Sequence, residues 1–212
     1  MIIAIDGPSA VGKGTLSKRL ADHFHLRLMD TGLLYRALAY KALEKNIDLA
    51  DEEQLCLLAQ NISFEILSNP KLRSAEMSMN ASKIAKLQKV REVFIQTQRD
   101  FANNISSPYK GAILDGRDIG TVICPDADIK LFLTATPEER ALRRYLELRC
   151  ADEEISIIDL LQQINMRDKQ DTTRANAPLK AANDAYVLDT SKLSADEVFQ
   201  KVINFIEGRL KK

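Results

Sequence analysis

The 212-residue sequence has no surplus charge of either sign: its 30 lysines and arginines are balanced by 30 aspartates and glutamates. A chain drawn to nucleic acid or to an acidic membrane by its overall field needs a basic excess, so those partners are not expected and any anion site must be local. Cysteine is scarce. Cys56, Cys124 and Cys150 are odd in number, far apart and in no C-x-x-C pair, which argues against a disulfide framework or a zinc site and suits reduced, cytosolic thiols. Only two histidines occur, His23 and His25, at the end of a predicted helix and without a third ligand nearby, so no metal centre is expected there. No apolar run approaches the ~20 residues needed to span a bilayer. Met1 to Asp6 lacks the basic segment that opens a signal peptide. These absences lead us to expect a soluble cytoplasmic protein acting on small molecules. A monomer is expected.

The length suits one α/β domain with a sizeable core and is too short for two ordinary domains. Ile2 to Asp6 is a short apolar run followed by a glycine-rich turn and by Lys13 to Phe24, whose apolar spacing (Leu16, Leu20, Ala21, Phe24) reads as a helix. A second strand, Leu26 to Met29, leads into a helix with Leu34, Leu38 and Leu43 on one face, capped by Asp30 or Thr31. This rhythm predicts a parallel sheet with helices packed against it. Further on, Asp51 to Gln60 reads as helix, Ile62 to Leu67 alternates like a strand, and Met77 to Ile105 is helical with a break near Leu87. Ala112 to Leu114 and Ile129 to Leu133 are apolar runs of the buried parallel kind. Pro137 suits the first turn of a helix over Glu138 to Ala151. Ile155 to Gln170 gives another helix, Asp171 to Asp184 an aperiodic polar stretch, Tyr186 to Leu188 a last strand and Ala195 to Leu210 a final helix. There is no internal repeat or linker, so the polar region near 150 to 180 reads as a flap.

The strongest motif is Gly7-Pro8-Ser9-Ala10-Val11-Gly12-Lys13-Gly14-Thr15. It matches G-x-x-x-x-G-K and lies between a strand and a helix, as a phosphate-binding loop requires. Small residues let backbone amides turn inward around phosphates, and the helix N-terminus adds partial positive charge. Lys13 would reach the outer phosphates of a nucleoside triphosphate. Gly14 stands where a hydroxyl usually follows the lysine, which leaves Thr15 as the candidate hydroxyl on the magnesium side.

A second cluster, Asp115-Gly116-Arg117-Asp118, follows the strand at Ala112, at the sheet edge where ligands bind in open α/β folds. Its carboxylates could hold hydrated magnesium or orient an acceptor, and Arg117 could grip a phosphate; equally, the residues could form a solvated turn of local ion pairs. Thr31 and Arg36 could meet one anion or be a helix cap and a surface arginine. Arg167, Asp171 and Arg174, spaced four and three apart, would share a helix face if the helix ran that far, as ligands or as a salt-bridge ladder. Arg143 and Arg144 pose the same choice.

Taken together, GPSAVGKGT, MDTGLLYR, NASKIAKLQKVRE, LDGRDIGTVICPDADIKLFLTA, ERALRR and RDKQDTTRANAPL, in this order and spacing, resemble the bacterial cytidylate kinase family over nearly the whole chain. The resemblance implies a P-loop kinase architecture: a core with a parallel sheet and helices on both faces, a monophosphate-binding insert at about residues 61–105 and a lid at about 143–180, in one kinase domain spanning 1–212. It implies phosphorylation of CMP, and of dCMP, by ATP with Mg2+. Ser82, Arg91 and Asp118 then fall at positions that recognise cytosine, and Asp171 with Arg167 at those that hold ribose. Thr31, Arg36, Arg117 and Arg174 fall on the acceptor phosphate, and Arg143 and Arg144 in the lid over the donor. Lys13, Asp115, Arg117 and Arg174 would carry the chemistry. Family members often have a longer insert before the helix holding Ser82; here only about 68–78 is available. The rival readings are a kinase for another small acceptor, such as UMP or shikimate, and a non-catalytic P-loop nucleotide-binding module. A GTP-driven switch would need an N-K-x-D segment, which this sequence lacks.

Overall fold

The computed structural model describes residues 1–149 and 156–210. Cys150, the expected helix end at Ala151 and the expected helix start at Ile155 lie outside the described residues. The chain divides into two compact units, Met1–Leu28 with Ile105–Lys212, and Met29–Asn104.

The first unit is organised by a parallel sheet. Its strands are β1 (Ile2–Asp6), β2 (Arg27–Asp30), β3 (Ala112–Gly116), β4 (Ile129–Thr134) and β5 (Tyr186–Asp189), in the order β2-β3-β1-β4-β5. β1 lies at the centre, with Ile3 opposite Ile113 on one side and Ile129 on the other, and β4 pairs in parallel with β5. β2 joins through Arg27, whose amide donates to the Gly111 carbonyl at 2.9 Å, and then carries the chain into the second unit. Because a central parallel strand is covered on both faces, Ile3, Ala4 and Ile5 are all fully buried, which is why the run reads as continuous apolar sequence rather than alternation. Helices α1 (Lys13–Phe24) and α8 (Ala195–Leu210) close over this core, through Leu16 and Leu20 on one and Val202 and Ile206 on the other.

Helices α6 (Pro137–Arg149) and α7 (Ile157–Thr173) pack on each other through a small cluster of their own, Ala141, Leu148, Leu160 and Ile164. Here α7 runs through the first residues of the stretch expected to be aperiodic, and Arg174 is its C-cap. Asp168 and Asp171 pair with Arg140 and Arg117 outside the helix, and Thr172 and Thr173 bond to carbonyls of their own helix, which lets it continue without an apolar face.

The second unit holds α2 (Thr31–Glu44), α3 (Glu52–Gln60), α4 (Ala75–Ile84) and α5 (Gln88–Asn103). Asp30 caps α2 by accepting from the Gly32 amide at 3.1 Å, the role expected of it. The break near Leu87 separates α4 from α5. Two sequence expectations fail. Leu43 is exposed rather than on the buried face of α2. Ile62 to Leu67 is no strand: residues Phe64–Ser68 form a 3-10 turn opened by Ser63, whose hydroxyl accepts from the Glu65 amide. The alternation arises because Ile62, Ile66 and Leu67 pack on a cluster of Leu33, Ala37 and Leu72 while Phe64 faces outward. A segment with no neighbouring strand must satisfy its own backbone, and a tight turn does so.

Candidate active site

The loop between β1 and α1 has the backbone of an anion cradle. Ala10 and Gly12 take left-handed conformations (φ 56° and 94°), and alternation of hand along a short loop turns successive amides to one side. Gly7 is required on other grounds: at φ 151°, a Cβ there would lie 2.3 Å from the Leu133 carbonyl oxygen. Gly12 is the N-cap of α1 without a side-chain cap, so the first amides of the helix point into the loop.

Lys13 is only 7% exposed. Its Nζ donates to the Pro8 carbonyl at 2.9 Å and lies 3.8 Å from Asp115 Oδ1. Asp115, buried at the end of β3, also accepts from Ser17 Oγ at 3.4 Å. The sequence-predicted Lys13 and Asp115 are thus brought together, and Ser17, which motif reasoning passed over, joins them. Thr15 lies exposed in the first turn of α1.

The cluster after β3 is an ordered, crossed network rather than a solvated turn. Arg117 Nε donates to Asp171 Oδ2 at 2.9 Å, and Arg174 NH2 lies 3.5 Å from Asp118 Oδ1. Burial alone would raise the Asp171 pKa, but Arg117, Arg167 and Arg174 outweigh it and hold this carboxyl below its ordinary value. Arg167, Asp171 and Arg174 therefore do converge, as their spacing suggested, on the loop that carries Arg117 and Asp118. Arg174 Nε also donates to the Ala177 carbonyl at 2.5 Å, which fixes its direction.

Three further buried groups were missed by the sequence reading. Asp6, the last residue of β1, is 4% exposed; its Oδ1 accepts from the Ile119 amide at 2.8 Å and its Oδ2 from Gly120 at 2.7 Å. Burial pushes its pKa up to about 6, against those two hydrogen bonds and Lys13 and with Asp118 adding to the rise. The available signal was a charged residue closing a wholly apolar strand, since such a group needs partners. Arg140 is 2% exposed; it donates to the Ala135 carbonyl at 3.0 Å and the Ser9 carbonyl at 3.3 Å and makes a two-pronged pair with Asp168 on α7. It ties the phosphate loop to α7. Thr190, fully buried, sits with its hydroxyl 3.3 Å from the Val11 carbonyl and accepts from Arg143 at 3.0 Å.

Arg143 also reaches the Val11 carbonyl at 3.4 Å, whereas Arg144 pairs with Glu147 on the surface of α6 at 3.0 Å. In the second unit, Thr31 is buried at the start of α2 and Arg36 donates to the Leu72 carbonyl at 3.5 Å. Ser82 lies half-buried on α4, and the buried Arg91 donates to the Ala85 carbonyl at 3.4 Å, joining α5 to the end of α4.

This chain matches the family model described as Cytidylate kinase over residues 3–208. A cytidylate kinase of Methylocella silvestris is 49% identical over 208 residues, covering 98% of this chain and 94% of the relative. One of Bradyrhizobium sp. is 48% identical, covering 98% and 96%. Among solved structures, a sugar kinase from Janibacter sp. superposes with a TM-score of 0.52 at 14% identity, covering 97% of this chain and 94% of that one; at that identity the likeness speaks for the fold alone. With the model match and near-complete coverage by curated relatives, the chain belongs to the cytidylate kinase family.

Proposed function

We propose that this protein transfers the γ-phosphoryl group of ATP to CMP, and to dCMP, giving ADP and the cytidine diphosphate. Family membership supports the reaction. The observation that carries the site is the meeting of Lys13, at the start of α1, with Asp115, at the end of β3, and of Arg117, Asp118, Asp171 and Arg174 in the network that follows β3.

Phosphoryl transfer asks a protein mainly to align donor and acceptor and to offset charge on the transferring oxygens. The amides of residues 7–15 cradle the triphosphate and Lys13 places its charge on the outer phosphates. Arg117 and Arg174, with Thr31 and Arg36, hold the acceptor phosphate; Asp171 and Arg167 hold the ribose, and Ser82, Arg91 and Asp118 read the base. Arg143 and Arg144 belong to a lid over the donor at about 143–180, and about 61–105 forms the monophosphate insert of one kinase domain. The donors near Lys13, the Asp115 carboxylate with the Ser17 hydroxyl, are oxygen, a set that suits Mg2+, and the Thr15 hydroxyl stands exposed in the same turn of α1. Asp115 and Thr15 would hold it, and when bound it neutralises phosphate charge. We place the enzyme in the cytoplasm, as a monomer; among the described residues no helix is long and apolar enough to cross a membrane.

Lys13→Ala tests the reading. Loss of the lysine charge removes stabilisation concentrated on the transferring group, so turnover should fall by about two to three orders of magnitude. A variant that retains near-normal CMP phosphorylation overturns the assignment.

A further inference from the structure

We propose that Asp6 is a positioning residue for the acceptor side, setting the direction of Asp118 and Arg117 by gripping the two amides that follow them. The inference rests on the acceptor-site reading above and adds a residue to it.

Residues Ile119–Ile123 form a single wide helical turn in which the amide of Cys124 donates to the Ile119 carbonyl at 2.7 Å and that of Ile123 to the Asp118 carbonyl at 3.2 Å. A helical turn leaves its first amides without partners inside the turn. The residue before it, Asp118, has a side chain that ordinarily caps such amides, yet it makes no capping bond here. Asp6 does so instead, from 113 residues away, with one carboxylate oxygen on each amide. The Asp118 carboxylate is thereby turned to Arg174, and the turn is anchored to the central strand that also leads into the phosphate loop.

The space around the contact is just filled. A Cβ on Gly120 would lie 3.4 Å from Asp6 Oδ2 and 3.4 Å from the Lys130 side chain, and Lys130 is itself held by both oxygens of Asp184 at 2.9 and 2.8 Å. A methyl group on Gly120 would touch both the carboxylate and the lysine stem. Gly120 and Asp6 therefore act as the two halves of one clamp.

Asp6→Asn keeps the shape but replaces one acceptor oxygen with a donor facing an N–H. Loss of a charge-assisted bond of this kind predicts a rise in KM for CMP of about ten-fold or more. The dissociation constant for ATP, read by titration with a fluorescent ATP analogue, should move less than about three-fold, since neither Asp6 oxygen touches the loop amides. A purely structural defect lowers the active fraction, and hence kcat, without splitting the two affinities. Gly120→Ala attacks the clamp from the other side and is expected to reproduce the split at smaller size, about three-fold in KM for CMP; it serves as the assay if Asp6→Asn does not fold. An unchanged KM for CMP, or equal weakening of both nucleotides, overturns the inference while wild-type CMP turnover leaves the proposed function standing. A wild-type protein that phosphorylates no CMP overturns the proposed function and this inference with it.

Discussion

The pair formed by Arg140 and Asp168 gives the most quantitative prediction, because its two ends differ in burial. The Arg140 side chain is 2% exposed and that of Asp168 is 25% exposed. Asp168→Ala leaves a guanidinium inside the protein with only the Ser9 and Ala135 carbonyls for partners, and an uncompensated buried charge of that kind costs about 3–5 kcal/mol. Arg140→Met instead leaves a carboxylate that can turn to water and fills much of the vacated volume, so its cost should be nearer 1–2 kcal/mol, roughly the worth of the lost hydrogen bonds. The double variant should cost little more than Arg140→Met alone, giving a coupling energy close to the whole cost of Asp168→Ala, about 3–5 kcal/mol. Urea unfolding of the four proteins at neutral pH measures the cycle. Among the described residues the packing between α6 and α7 rests on a small cluster of four buried apolar side chains, so the loss should show first as cleavage of this helix pair in limited proteolysis. Equal costs for the two single variants, or strict additivity, would refute the reasoning, since both would mean that the pair is solvated.

Asp6 makes folding pH-dependent. Its folded pKa is raised from 3.8 to about 6, so the folded state binds this proton more tightly; the contribution is whole below about pH 4 and is lost as the pH rises through about 6. The stability advantage of wild type over Asp6→Asn should therefore shrink by on the order of 3 kcal/mol across that window, as read by urea unfolding at a series of pH values; a constant gap would count against the buried carboxyl. Gly7→Ala should destabilise by about 3 kcal/mol or more, because the strained backbone angle is joined by a clash with the Leu133 carbonyl. A thermal melt within about a degree of wild type would contradict it.

Where sequence and structure agree, the signal was local. The apolar run Ile2–Ile5, the glycines around Lys13 and the cap at Asp30 each declare themselves within a few residues, and all stand where expected. Periodicity failed where an element had no partner of the expected kind: Ile62 to Leu67 alternates because of one apolar cluster and not because of a sheet. The site was legible in its charged motifs and not in its supports. Asp6 meets Ile119 and Gly120 across 113 and 114 positions, and Thr190 meets Val11 across 179, separations at which no spacing rule operates. Arg140 stood within a quoted motif, but a helix of alternating charges gives no sign of which arginine turns inward; that is decided by the Ser9 and Ala135 carbonyls and by Asp168 on the next helix.

The central claim is the acceptor, and it is tested by following ADP formation from ATP with CMP, dCMP, UMP, AMP, GMP and shikimate supplied one at a time to the purified protein. The account predicts rapid turnover with CMP, substantial turnover with dCMP and rates with the others lower by at least about ten-fold, the discrimination that one well-placed hydrogen-bonding group supports. Preference for a non-cytosine acceptor, or ATP binding without transfer to any of them, would contradict it.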